Sequence, residues 1–218
     1  MRIVIFANGE LLDPEGVADD VAAADLLVAA NGGSRLAGAL GVKPHVVVGD
    51  LDSVSDTHVR VLEALGVRVV RHPKRKDRTD LELAMMYAHA QGAQDVVVVA
   101  GMGKRWDQTL ANFLLPGAAS FSGMTVRITD GRSWAAWLRG GQTLPICGPV
   151  GATVSLLPLR GPAEGVTTSG LEYSLDDAEL AFASTRGVSN IKIGDPASVS
   201  VRRGLLVCLM SPPGPDHT

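Results

Sequence analysis

The stretch "HVVVGDLDSVSDTHVRVLEAL", residues 45–65, decides how the first half of this chain is read. Three consecutive valines are apolar on both faces, as a strand covered on each side by helices must be. The run ends at Gly49, and the segment from Val54 onward reads as a helix. Between them stand Asp50 and Asp52. If the extended conformation persists past Gly49, both carboxylates point the same way and Leu51 points opposite. Two carboxylates aimed at one point repel unless a cation lies between them. The competing structural reading is that Asp52 or Ser53 caps the following helix, since strand–Asp–helix junctions are common.

The same apolar-strand, polar-end, helix unit recurs on both sides. Apolar runs occur at "IVIFA" (3–7), "DLLVAA" (25–30), "VRVV" (67–70), "DVVVVAG" (95–101) and "TVRITD" (125–130). Helix-like segments separate them. "GSRLAGALGVKP" stops at Gly41 and Pro44, an ordinary helix end. "RTDLELAMMYAHAQG" (78–92) keeps apolar spacing at Leu81, Ala84, Met85 and Ala88, with Thr79 and Glu82 as a capping box. The repetition predicts an α/β domain, a doubly wound and mostly parallel Rossmann-like sheet, over residues 1–130. After "DGRS" (130–133) the pattern changes. "TVSLLPL", "GVTTSGLEYSL", "GVSNIKI" and "SVSVRRGLLVCLM" are short and β-prone, which predicts a smaller antiparallel β-sandwich over residues 131–218. The proline-rich end "SPPGPDHT" is expected to fray.

Composition narrows the function. Of 218 residues, 46% are hydrophobic and 20% charged, and the net charge of −3 comes with no basic block. That is a globular composition without the electrostatic footprint of a nucleic-acid binder. The first ten residues read as a strand, too short for a membrane span, so no membrane association and a cytoplasmic location are expected. Cys147 and Cys208 lack CxxC spacing and are expected to be reduced core thiols. The five histidines show no ligand spacing. Trp134 and Trp137 suit a pocket wall or, more often, a domain junction.

In parallel α/β sheets, ligands sit beyond the carboxyl ends of the strands. Here five strands end in ligand-like residues: "ANGE" with Asn8 and Gly9, "NGGS" with Asn31, Gly32 and Gly33, "GDLDS", "KRKDRTD" and "GMGKRWDQ". Asp80 either complements the dipole of the helix it opens or joins Asp50 and Asp52 at a metal. Lys74, Arg75, Lys76 and Arg78 are either a solvated run or a phosphate-facing one. The glycines of "GMGKRWDQTLAN" suit a tight loop into a helix, whose N–H groups favour phosphate. Gln108 and Asn112 share one face of that helix, with Leu110, Phe113 and Leu114 on another. Arg105 and Asp107 pair with each other or hold a nucleotide. No Walker A loop and no GxGxxG follows a strand.

"NGG", "GDLDS", "KDRTD" and "GMGKRWDQ" followed by Asn112, in this order, resemble the thiamine pyrophosphokinase family, and "GLEYSL" and "GVSN" extend the likeness into the C-terminal half. The resemblance implies transfer of the diphosphate of ATP to the hydroxyl of thiamine, giving thiamine diphosphate and AMP, by a homodimer with active sites at the interface. It implies Mg²⁺ on Asp50, Asp52 and Asp80, which also act in catalysis. It implies a nucleotide lined by Asn8, Gly9, Asn31, Gly32, Ser53, Thr79, Lys104, Arg105 and Gln108, with Asp107 fixing the loop. For thiamine it implies Asn112, Leu171, Tyr173, Ser189 and Asn190. Two positions depart from the family pattern. Asn31 stands where Asp is common, and Lys104 replaces a glycine of the usual GGRxDH. Another diphosphokinase, acting for instance on a hydroxymethyl-pterin, and a non-catalytic thiamine-binding relative are the alternative readings.

Overall fold

A computed structural model describes residues 1–75 and 77–213. Lys76 and most of the expected frayed tail (214–218) lie outside the described residues. The chain divides into two compact units, residues 1–131 and 132–218.

The first unit contains all six strands read from the apolar runs: β1 (Arg2–Phe6), β2 (Leu26–Ala30), β3 (Val46–Gly49), β4 (Arg68–Arg71), β5 (Asp95–Val99) and β6 (Thr125–Thr129). They pair in parallel in the order β6-β5-β1-β2-β3-β4. The chain winds outward from β1 to β4, then returns to β5 and winds the other way. The switch point therefore lies between β1 and β5, where such sheets open a crevice. Helices α1 (Ala18–Ala22), α2 (Gly33–Ala39), α3 (Asp56–Ala64), α4 (Asp80–Ala90) and α5 (Trp106–Leu114) connect the strands. Both faces of β1 are covered: Ile3, Val4, Ile5 and Phe6 are all fully buried. That accounts for apolar runs without alternation. α4 lies on β2 and β3, burying Leu81, Ala84, Met85 and Ala88. Its N-cap is Thr79, whose Oγ1 accepts from Glu82 N at 3.2 Å.

Two local expectations change. The extended conformation does not persist past Gly49, because Leu51 is left-handed at φ 63° and the chain turns there. The cap of α3 is Ser55, which accepts from His58 N at 3.2 Å, and neither Asp52 nor Ser53 serves. This frees the Asp52 carboxylate from the structural role that competed with a functional one.

The second unit consists of two antiparallel sheets. One has the order β12-β9-β14-β7 and the other β11-β10-β13-β8. Their strands are β7 (Trp134–Arg139), β8 (Gln142–Pro145), β9 (Thr153–Pro158), β10 (Ala163–Ser169), β11 (Ala178–Leu180), β12 (Asn190–Ile191), β13 (Ser198–Val201) and β14 (Leu205–Ser211). Alternate residues of both sheets, among them Leu138, Val154, Leu156, Val166, Val199, Val201 and Leu206, form one core, as in a sandwich. Trp134 belongs to this core and donates from Nε1 to Cys147 O at 3.1 Å. Cys208 is buried as expected, but Cys147 is exposed, because β8 ends at Pro145 and the residue falls in the loop beyond it.

Candidate active site

The ends of the parallel strands line a cleft of about 630 Å³. Asn8 and Gly9 come from the β1 end, Asn31 and Gly32 from β2, and Asp50, Asp52 and Ser53 from β3. Lys74, Arg78, Thr79 and Asp80 come from the approach to α4, and Lys104, Arg105, Gln108, Thr109 and Asn112 from the β5 loop and α5. Asp107 is not part of the lining; it holds Arg105 from behind through Nε–Oδ1 at 3.2 Å and Nη2–Oδ2 at 2.5 Å. The hydrogen bond and charge of Arg105 hold the Asp107 carboxyl below its usual pKa.

Local backbone chemistry explains how the loops approach so closely. A Cβ on Gly9 would sit 2.0 Å from Met102 O, so only glycine lets the β1 loop lie against the β5 loop. Gly9 N in turn donates to Ala100 O at 2.8 Å. Gly49 has φ +151°, and a Cβ there would meet Asp80 Oδ1 at 2.9 Å. Three non-glycine residues with positive φ, Asn31, Leu51 and Ala100, fall just beyond β2, β3 and β5. Strain of this kind collects at sites where side chains must be aimed.

At the centre, one oxygen from each of Asp50, Asp52 and Asp80 lies within 4.8 Å of the others. The turn at Leu51 therefore brings the first two carboxylates together by a different route from the alternation expected, and the start of α4 supplies the third. Asn31 Nδ2 lies among them, 3.0 Å from Asp50 Oδ1 and 2.9 Å from both Asp52 Oδ1 and Asp80 Oδ2. Asp52 N also donates to Asp50 Oδ1 at 3.2 Å, and Ser53 Oγ to Asp52 Oδ1 at 3.1 Å. A hard divalent cation takes oxygen donors and is commonly held by one or two carboxylates plus phosphate. Three convergent carboxylates, with the basic side chains of Lys74, Arg78, Lys104 and Arg105 around the same cleft, fit Mg²⁺ carrying a polyphosphate.

Several positioning residues escaped the sequence reading. Arg35, on the exposed side of α2, donates from Nη1 to Ser53 O and from Nη2 to Asn8 Oδ1 at 3.5 Å, tying two strand ends together. Thr109 Oγ1 accepts from Gly103 N at 3.1 Å and donates to Gly103 O at 3.0 Å, closing the glycine loop onto α5. Asn112 is partly spent on the same task, with Nδ2 donating to Gly101 O at 2.7 Å. Sequence offered only the i, i+4 relation of Arg35 to Asn31 and the placing of Thr109 beside Gln108.

The remaining expected residues belong to the second unit. Leu171 is buried in the sandwich core, whereas Tyr173 and Ser189 are exposed. Asn190 is buried and clamps the Tyr173 backbone: Oδ1 accepts from Tyr173 N at 3.0 Å and Nδ2 donates to Tyr173 O at 2.7 Å. Ser189, at φ 62°, donates its N–H to Ser155 Oγ at 3.1 Å.

A doubly wound α/β domain whose strand ends gather three carboxylates and several basic groups, followed by a β-sandwich, has the chemistry suited to a two-domain enzyme acting on phosphate esters. Two family models match the chain, the catalytic domain of thiamin pyrophosphokinase over residues 18–127 and its vitamin B1 binding domain over residues 145–206. The chain belongs to the thiamine pyrophosphokinase family. It is 24% identical over 172 residues to the thiamine pyrophosphokinase of Bacillus subtilis (strain 168), covering 78% of this chain and 80% of that one. It is also 24% identical to thiamine pyrophosphokinase 1 of Oryza sativa subsp. japonica, of which it spans only 59%. The fold is shared with crystal structures of the Bacillus subtilis protein (TM-score 0.84, 24% identity, 97% of this chain and 99% of that one) and of thiamin pyrophosphokinase from Geobacillus thermodenitrificans (TM-score 0.83, 23% identity, all of both chains).

Proposed function

We propose that the chain transfers the diphosphate of ATP, as a unit, to the hydroxyl of thiamine, yielding thiamine diphosphate and AMP. The observation that carries this reading is the match of both domain models of one family to a chain whose α/β cleft gathers Asp50, Asp52 and Asp80. Attack of an alcohol on the β-phosphorus of ATP needs in-line placement and charge neutralisation more than covalent chemistry. Asp50, Asp52 and Asp80 would hold Mg²⁺, which would supply neutralisation of the phosphate charge. Asn8, Gly9, Asn31, Gly32, Ser53, Thr79 and Gln108 line the nucleotide. Lys104 and Arg105 neutralise the charge that develops on departing AMP, and Asp107 holds Arg105 through two hydrogen bonds. Asp50 or Asp80 takes the hydroxyl proton.

In the second unit, Tyr173 offers an aromatic face to the cationic thiazolium and Ser189 a hydroxyl. Leu171 and Asn190 hold that segment in place, and in the α/β unit Asn112, which lines the cleft, is assigned to thiamine. The working form is a homodimer in the cytoplasm. Support for a second copy comes from α5, which has no fully buried residue and leaves Trp106 90% exposed, Leu110 60% and Leu114 50%. Such apolar exposure on one helix suits a partner surface. No helix among the described residues is long and apolar enough to cross a membrane.

Incubation with ATP, Mg²⁺ and thiamine tests the reaction. AMP and thiamine diphosphate in equal amounts are expected; ADP would mean an ordinary kinase, and bound thiamine without turnover a non-catalytic relative.

A further inference from the structure

Asn31 occupies the carboxylate cluster in a way that neither α2 nor the sheet requires. An amide nitrogen carries two hydrogens, yet Asn31 Nδ2 lies within 3.0 Å of oxygens from three carboxylates. The positive end of the amide dipole thus fills the point on which three negative groups converge. The other end is orphaned. Asn31 is only 3% exposed, and its buried Oδ1 accepts no hydrogen bond among the described residues. Leaving a buried acceptor unpaired is costly, and native structures rarely tolerate it without a reason.

The backbone offers no relief. Asn31 is held at φ 46°, its N–H donates to Val48 O at 2.9 Å, and its carbonyl accepts from Ser34 N at 3.1 Å and Ser34 Oγ at 2.9 Å. Only rotation of the amide itself remains free. Turned over, Oδ1 would face three carboxylate oxygens, which is repulsive unless a cation stands between them. Each orientation therefore suits one state of the site: nitrogen inward without a cation, oxygen inward with one.

We propose that Asn31 is a placeholder for the divalent cation, its Nδ2 holding the carboxylates together in the cation-free protein and its amide turning over on cation binding to present Oδ1 as a neutral oxygen donor. The inference rests on the reading of Asp50, Asp52 and Asp80 as the cation site. Turning out the amide opposes cation binding, so the protein without nucleotide holds its cation weakly. Additional oxygens from a polyphosphate tip the balance, and cation and nucleotide enter together.

The test uses the full chain without nucleotide. In ¹⁵N–¹H spectra, the Asn31 side-chain amide is assigned by its absence in Asn31→Asp. Its signal is expected to shift as Mg²⁺ saturates the site and the carboxylate hydrogen bonds are lost. By calorimetry, Asn31→Asp is expected to bind Mn²⁺ about tenfold more tightly than wild type. In EDTA it should melt lower by at least about 3 °C, because a fourth carboxylate replaces the placeholder. Asn31→Ala gives a parallel reading if the aspartate variant folds poorly, losing thermal stability in EDTA and recovering it with Mn²⁺. An Asn31 signal that stays in place while Mg²⁺ binds, with binding abolished in Asp50→Asn, overturns the placeholder and leaves the cation site standing. Equal Mn²⁺ affinity in wild type and Asn31→Asp does the same. No Mn²⁺ binding by either protein, even after addition of a non-hydrolysable ATP analogue, overturns both readings.

Discussion

Two buried asparagines, one in each unit, are used in opposite ways. Asn190 in the sandwich uses both ends of its amide on its own neighbourhood: Oδ1 accepts from Tyr173 N and Ile191 N at 3.0 and 2.9 Å, and Nδ2 donates to Tyr173 O at 2.7 Å. Asn31 in the α/β unit spreads two hydrogens over three carboxylates and leaves Oδ1 unpaired. A side chain satisfied at both ends stabilises a loop, whereas one satisfied at a single end marks a place built for something else. The same division runs through the backbone. Left-handed Asn31, Leu51 and Ala100 lie just beyond the strand ends that form the cleft, while left-handed Asp177, Ala183 and Ser189 lie in loops of the sandwich unit.

The sharpest way to break this comparison is to disarm the cleft. Asp50→Asn and Asp52→Asn are each expected to lower turnover by at least about a hundredfold, corresponding to roughly 3 kcal/mol of transition-state stabilisation. Their melting temperatures should not fall in parallel, since each change removes a like charge from a crowded site. Turnover within about threefold of wild type in both would remove the triad from the chemistry.

Asn190→Ala should behave in the opposite manner. It strands the Tyr173 N–H and carbonyl together, and a loss of about 2 kcal/mol in unfolding free energy is expected by denaturant titration. If the Tyr173 segment meets thiamine, KM for thiamine rises while KM for ATP holds steady. An equal rise in both would mean that the sandwich and the cleft are not separable in this way.

The smallest effect concerns the thiols. A thiol reagent should titrate only Cys147 in the native protein and both cysteines after denaturation. Cys208 is buried and its thiol is pushed up to about 12 by desolvation. Because that pKa is raised, its contribution to stability is intact below the ordinary value of 9.0 and is lost as pH climbs toward 12. Rapid native labelling of two thiols would show that the β14 core opens readily.

What was legible in the sequence follows the same line. The parallel strands could be read because burial on both faces writes unbroken Val and Ile runs, and α4 because Thr79 and Glu82 bracket its first turn. The site could be located because strand ends carry polar residues wherever a sheet opens a crevice. β7 was harder to see. "WAAWLR" is nearly all buried and lacks the alternation that marks a half-exposed strand. β12 is only two residues long, too short to leave a periodic signal. The turn at Leu51 is not legible because nothing in Gly-Asp-Leu-Asp-Ser demands a left-handed leucine. Arg35 and Thr109 look like ordinary helix residues, and their work becomes visible only when Asn8, Ser53 and Gly103 are brought beside them.

The central claim is transfer of a diphosphate as one unit by the cleft of the α/β domain. It is tested most directly by running the reaction with ATP labelled separately at the β- and the γ-phosphorus. Both labels are predicted to appear together in the thiamine product, with AMP released unlabelled. Appearance of the γ-label alone, with the β-label retained in ADP, would contradict the account.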